Sequence, residues 1–188
     1  AIHLIKGLRP GVTLNDADDT VARAVNTLVE TGQGASLAMR NSDLGPWEGS
    51  WRVVYAPHIR TLSTSLLGTR FDVSYDIDAR GGIESNVRYS NLVLGSGWLG
   101  SAGTVSALDH NTSFVDFDQF WVDVTNAATP PPKPQFEAPL RKLVSEIGGL
   151  GFIPSFSRFP VLWFDGEICI FKFPPLNVLI ATRKEGRQ

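Results

Sequence analysis

The chain has 188 residues and a mass of 20.5 kDa, room for one domain with a modest extension. Its 17 basic and 19 acidic residues leave a formal net charge of -2, which gives no global attraction to nucleic acid. A hydrophobic share of 43%, with 11 Phe, 5 Trp and 3 Tyr, excludes disorder for most of the chain.

The first element in chain order is a helix over about residues 15–30. Asn15 can cap it, and Asp16, Asp18 and Asp19 complement the positive end of its dipole. Val21, Ala24, Val25, Leu28 and Val29 form one apolar stripe, and Gly32-Gln33-Gly34 stops the run. Residues 1–45 thus read as an N-terminal segment whose amphipathic helix caps one end of the adjoining domain. The start, Ala1-Ile2-His3, has no initiator Met and no signal-peptide pattern, so it is either a processed end or simply where the sequence begins.

From Gly45-Pro46 onward the period becomes two, and residues 46–185 read as one β domain. Trp51, Val53 and Tyr55 alternate with Arg52 and Val54 until Pro57 ends the run. Phe71, Val73, Tyr75 and Ile77 form a one-sided strand. Arg80-Gly81-Gly82 turns the chain into a second strand carrying Ile83, Ser85, Val87 and Tyr89. Further strands fit 99–108, 113–124, 167–173 and 178–183. Regular short strands of this kind imply an antiparallel barrel or sandwich.

An insertion precedes the last two strands. It comprises a stiff Pro-rich strip at 130–134, a short helix around 139–147 and an apolar loop at 148–160. In that loop Leu150, Phe152, Ile153, Phe156 and Phe159 either fold over an open barrel end or face a membrane or partner.

Few motifs carry chemistry. Gly95-Ser96-Gly97-Trp98-Leu99-Gly100 matches a dinucleotide-binding spacing but sits among strands with no helix after it, so the glycines read as a bend in the sheet. His3, His58 and His110 are scattered, and no nucleophile elbow is present. Asp116 and Asp118 share a strand face, which contact with water explains. Asn111-Thr112-Ser113 is a formal glycosylation sequon, meaningful only in a secreted protein. Cys169 is the single cysteine, placed in an apolar run as an inert thiol that excludes an internal disulfide or a multi-Cys metal site. No apolar run approaches the roughly 18–20 residues of a membrane-spanning helix. Arg52, Arg88, Asp116 and Asp118 are the only charged strand residues that could furnish a catalytic set, and the expectation is no enzyme and no required cofactor.

Gly49-Ser50-Trp51 at the start of the first strand, with Arg183 late in the last one, resembles the lipocalin-type barrel. That resemblance implies an indole closing one end beneath a guanidinium, with Trp51 and Arg183 in those roles. A narrower resemblance spans about residues 16–185. It rests on Leu44-Gly45-Pro46-Trp47-Glu48-Gly49-Ser50-Trp51-Arg52-Val53-Val54-Tyr55, Gly97-Trp98-Leu99-Gly100-Ser101-Ala102-Gly103-Thr104, Phe117-Asp118-Gln119-Phe120-Trp121-Val122-Asp123 and Glu167-Ile168-Cys169-Ile170-Phe171 leading into Arg183. In these motifs the chain is similar to the plastid lipid-associated proteins, the plastid fibrillins. The resemblance implies a lipocalin-like barrel, a plastid (chloroplast) setting at the stromal side of the thylakoid, and non-catalytic binding of a lipid, a carotenoid or an isoprenoid quinone.

On that footing an apolar ligand would line up with Val53, Tyr55, Phe71, Val73, Tyr75, Val87, Tyr89 and Phe117 inside a barrel of about eight strands. The same side chains would equally fill a solid core. The alternative is then a peripheral docking subunit of a photosynthetic complex, held by the 130–134 strip, the 148–160 loop or the basic tail from Arg183 to Arg187.

Overall fold

The computed structural model describes residues 14, 18–32, 45–93, 95–109, 111–125, 127–131 and 158–186. The strands are β1 (Gly49–Tyr55), β2 (Arg70–Ile77), β3 (Gly82–Asn91), β4 (Gly95–Asp109), β5 (Thr112–Asp123), β6 (Arg158–Phe164), β7 (Ile168–Phe173) and β8 (Val178–Lys184). All eight are antiparallel in chain order, and β8 returns to β1, so the sheet is one ring. Up-and-down order fixes two ends. The β2–β3, β4–β5 and β6–β7 turns surround the start of β1, and the other turns gather at the opposite end. Among the described residues the shortest seam joins β5 to β6, through Thr112–Phe114 against Arg158–Pro160 and the Val161 amide donating to the Asn111 carbonyl at 2.6 Å.

Helix α1 (Asp19–Thr31) is capped by Asp18, whose carboxylate accepts from the Thr20 and Val21 amides at 2.9 and 3.1 Å. Those bonds hold the Asp18 carboxyl below its ordinary value. The expected cap, Asn15, lies outside the described residues. Gly32, at φ 62°, supplies the left-handed residue that ends the helix. The apolar stripe does not cover an end of the ring, contrary to expectation. Val21, Ala24, Val25 and Leu28 pack on Val54, Trp163, Ile168, Ile170 and Ala181, on the ring's outer wall. The reason lies in β7 and β8, which are apolar on both faces and need cover outside as well as inside.

Two elements differ from the alternation reading. Pro57 ends β1 but also opens α2 (Pro57–Ser65), since proline suits a first helical turn whose amide has no partner. Residues 158–160, expected in the apolar loop, begin β6, so the insertion precedes the last three strands rather than two. A register shift between Val161 and Trp163, together with Pro160, breaks the period there. The Pro132–Pro134 part of the strip, the 139–147 helix and Leu150, Phe152, Ile153 and Phe156 lie outside the described residues. Gly95–Gly100 is a strand, in which Gly97 and Gly100 make room: a Cβ on Gly100 would collide with the Trp121 ring.

An aromatic floor closes the end where β1 begins. Trp51 is 2% exposed, and its Nε1 donates to the Trp47 carbonyl at 2.7 Å. Phe164 stacks on Trp47 at 4.3 Å between ring centroids and lies 5.9 Å from Trp51. The cation over the indole is Lys184 Nζ, at 5.5 Å, and not Arg183. Strand parity is the cause. Ile180 and Thr182 face inward, so Arg183 points out and Lys184 turns back in. Lys184 also donates to the Pro46 carbonyl at 3.2 Å, and its stem passes within 2.9 Å of where a Cβ on Gly49 would sit. With φ at 124°, it is the backbone conformation that requires Gly49.

Trp51→Ala is expected to destabilise the fold by about 3–5 kcal/mol, as emptying a buried aromatic site does. Lys184→Ala is expected to cost about 0.5–1 kcal/mol through the lost cation–π contact. Urea-denaturation midpoints of the two variants check both values, and a neutral Trp51→Ala would mean that the indole does not hold this end closed.

Candidate binding cavity

Above the floor the ring is hollow. A cavity of about 350 Å³ runs from Trp47 and Trp51 to the opposite end. Its wall is built by inward-facing positions: Val53 on β1, Phe71, Val73 and Tyr75 on β2, Ile83, Ser85 and Val87 on β3, Val115 and Phe117 on β5, and Phe171, Ile180 and Thr182 on β7 and β8. Half of these side chains are Val, Ser or Thr, and they leave space between the aromatic ones. Leu14 is buried against Val53, Ala56, Val73 and Ile180 and narrows the upper part.

Of the eight expected interior residues, Val53, Phe71, Val73, Tyr75, Val87 and Phe117 line the cavity, whereas Tyr55 and Tyr89 do not. A bulge between Val53 and Tyr55 reverses the alternation, so Tyr55 joins Val54 on the outer wall against α1. Burial there pushes its phenol above the ordinary value. Tyr89 has interior parity, paired with Phe71 and Gly97, but its ring leans over Gly97, where a Cβ would meet the hydroxyl at 2.6 Å. Phe159, expected as a membrane or partner contact, instead lines the cavity, 5.6 Å from Phe171 and 6.1 Å from Phe173.

Four hydroxyls stand on this apolar wall, in two kinds. Ser113 donates to the Phe159 carbonyl at 3.2 Å and Thr182 to the Cys169 carbonyl at 3.3 Å, so both are satisfied. Tyr75 and Ser85 are direct cross-strand neighbours, and among the described residues neither hydroxyl has a hydrogen-bond partner. Burial pushes the Tyr75 phenol up to about 12, so it is a neutral donor at any ordinary pH. Cys169, behind the wall, is also pushed well up by burial and stays a thiol.

Among the described residues nothing closes the far end. Ile59 and Leu62 of α2 and Leu99 of β4 edge it, and Leu62 and Leu99 are partly exposed. His58 stacks on Phe173 at 5.4 Å, and its Nδ1 is buried without a hydrogen-bond partner among the described residues. Sequence reasoning missed α2 and therefore His58, Ile59 and Leu62; a proline after a strand was the one available signal. Among the described residues no cluster of His, Cys, Asp or Glu could hold a metal ion, and the charged strand residues do not converge inside. Arg52 pairs outside the cavity with Asp72 at 3.2 Å and Glu185 at 2.7 Å.

No family model matches the chain, and no curated protein matches it in a sequence search.

The cavity mouth makes one pH prediction. Burial lowers the His58 pKa below 6.5, so between that lowered value and 6.5 the unfolded chain binds more protons than the native one. The His58 contribution to stability is then whole above the unfolded value and is lost as pH falls through this window. His58→Phe, which keeps the stack on Phe173, is expected to flatten the fall in melting temperature between pH 7 and pH 5 relative to the parent chain.

Proposed function

We propose that this chain is a non-enzymatic, fibrillin-like and lipocalin-like protein of the plastid, placed at the stromal surface of the thylakoid, that holds an apolar ligand of isoprenoid-quinone type inside its ring. The observation that carries this reading is an apolar cavity that ends near two unpartnered hydroxyls, Tyr75 and Ser85. Burying apolar ligand surface supplies the affinity, and a carbonyl accepting from Tyr75 supplies orientation. A volume of about 350 Å³ is small for a ligand site. It suits one ring with the first part of a tail, and it disfavours an entire carotenoid. The alternative of a docking subunit with a filled ring draws no support from this interior.

Decylplastoquinone tests the reading, because quinones quench indole fluorescence and Trp47 and Trp51 both line the cavity. Saturable quenching at one quinone per chain is the expected result. Val87→Phe is expected to weaken it by about tenfold through overpacking. Tyr75→Phe is expected to weaken it by about three- to tenfold, the worth of one hydrogen bond. Quenching that never saturates, or that ignores Val87→Phe, would overturn the proposal.

A further inference from the structure

The exposed aliphatic side chains of this protein are not scattered. Leu62 on α2, Leu66 and Leu67 in the α2–β2 turn, Leu92 and Val93 in the β3–β4 turn and Leu176 in the β7–β8 turn are all exposed. All belong to the end where the cavity opens. The remaining exposed large hydrophobics among the described residues, near the start of β4 and the finish of β5, sit at that end too. The floor end contributes none.

Two further observations show that this rim is built. Leu67 is 74% exposed and holds a φ of 54°, a left-handed conformation that costs a leucine energy and that asparagine or glycine adopts readily. The corresponding left-handed residue of the β7–β8 turn is Asn177, beside the exposed Leu176. Asn91 then ties two of the turns together. Its Nδ2 donates to the Leu66 and Leu67 carbonyls at 3.1 and 3.3 Å and to Thr69 Oγ1 at 2.8 Å, while its Oδ1 accepts from the Val93 amide at 2.7 Å. One side chain thus ties the exposed Leu66, Leu67 and Val93 together across two turns.

Charge divides along the same axis. Arg60, Arg70, Arg158 and Lys172 lie at or just behind the rim. From Ala56 to Phe71, from Ser85 to Ala107 and from Ile168 to Lys184 the chain has no acidic residue. Among the described residues, Asp72 and Asp123 stand toward this end and both are engaged, Asp72 by Arg52 and Asp123 by the Thr125 amide. The floor end carries Glu48, Asp78, Glu84, Asp165, Glu167 and Glu185 against Arg80, Arg183 and Lys184, so its balance is acidic. Protruding aliphatic turns backed by cations match an anionic bilayer surface, where the tips enter the acyl boundary and the cations meet the headgroups.

We infer that the open end of the ring docks directly on an anionic lipid bilayer, with the Leu66–Leu67, Leu92–Val93 and Leu176 turns inserted and the cavity mouth facing the lipid. Docking itself does not require a ligand. That the mouth then serves as the ligand's passage rests on the proposed binding function.

The test is co-sedimentation of the full chain with vesicles of phosphatidylglycerol and phosphatidylcholine in equal parts, against vesicles of phosphatidylcholine alone. Binding to the anionic vesicles, weakened by salt, is expected. Leu67→Asn with Leu92→Asp is expected to reduce it by about tenfold or more. Because Leu67→Asn suits the left-handed backbone, that single variant should melt no lower than the parent, which separates loss of docking from loss of fold. Arg60→Gln with Lys172→Gln should reduce binding to anionic vesicles by about fivefold for each charge removed. Val87→Phe, which fills the cavity, should leave sedimentation unchanged, so that failure of ligand binding and failure of docking are read separately. No sedimentation with either vesicle, or sedimentation untouched by the rim variants, would overturn the inference. So would rim variants that release the chain from a protein complex while vesicle binding is absent.

Discussion

The Trp51 indole donates its one proton to the Trp47 carbonyl, lies against Phe164 and is covered by the ammonium of Lys184. That arrangement brings together the first strand, the chain entering it, and the sixth and eighth strands, at the one level where the ring has flat side chains enough to seal it. A ring of eight strands has an interior that side chains can either fill or leave open for one small molecule. Above the floor, Val53, Val73, Ser85, Val87 and Thr182 stand between the aromatic wall residues Phe71, Tyr75, Phe117 and Phe171. These cannot meet across the middle. The closed floor and the hollow above it are two consequences of one distribution of side-chain volume.

Most of the ring was legible in the sequence because its strands, where half-exposed, alternate. Phe71–Ile77 and Ile83–Tyr89 keep strict period two, and their pairing runs without a shift from Arg70–Ser90 to Ile77–Ile83. What escaped has specific physical causes. Register shifts, among them those at Val53/Tyr55, Ala102/Gly103 and Val161/Trp163, break the alternation on which counting relies. The first moved Tyr55 out of the cavity, and the third hid β6. The lipocalin resemblance also misplaced the cation on the floor by one residue, since Arg183 and Lys184 are both basic and only inward parity selects between them. The mouth was least legible. Its helix, Pro57–Ser65, has no buried residue, and Ile59 and Leu62 alone make too short a stripe to betray it.

The outer wall obeys the same constraint of side-chain burial. β7 and β8 are buried on both faces, Cys169, Phe171, Ile180 and Thr182 inside and Ile168, Ile170 and Ala181 outside, and α1 supplies the outer cover. The helix therefore stabilises the ring from its side and leaves the mouth free. Had it sealed the mouth, the exposed aliphatic turns would have been buried beneath it, and the cavity would have been a closed void. An unfilled, closed apolar void of this size would be destabilising, by lost contacts along its whole wall. An open one is compatible with a stable fold because an occupant can restore those contacts.

An open mouth has a consequence for how a ligand would be chosen on the proposed reading. A molecule leaving acyl chains for an apolar cavity exchanges one apolar surrounding for another, so burial alone provides little net drive and less selectivity. The discriminating energy must come from groups that the bilayer interior lacks. Tyr75 and Ser85 are those groups: two donors side by side on neighbouring strands, unpartnered among the described residues, with Tyr75 neutral at every ordinary pH because burial raises its phenol to about 12. A carbonyl-bearing ring satisfies them and a plain hydrocarbon leaves them stranded, at a cost of about 1–3 kcal/mol for each buried unsatisfied group. The apolar wall thus sets how much of a molecule enters, and two hydroxyls set which molecule stays.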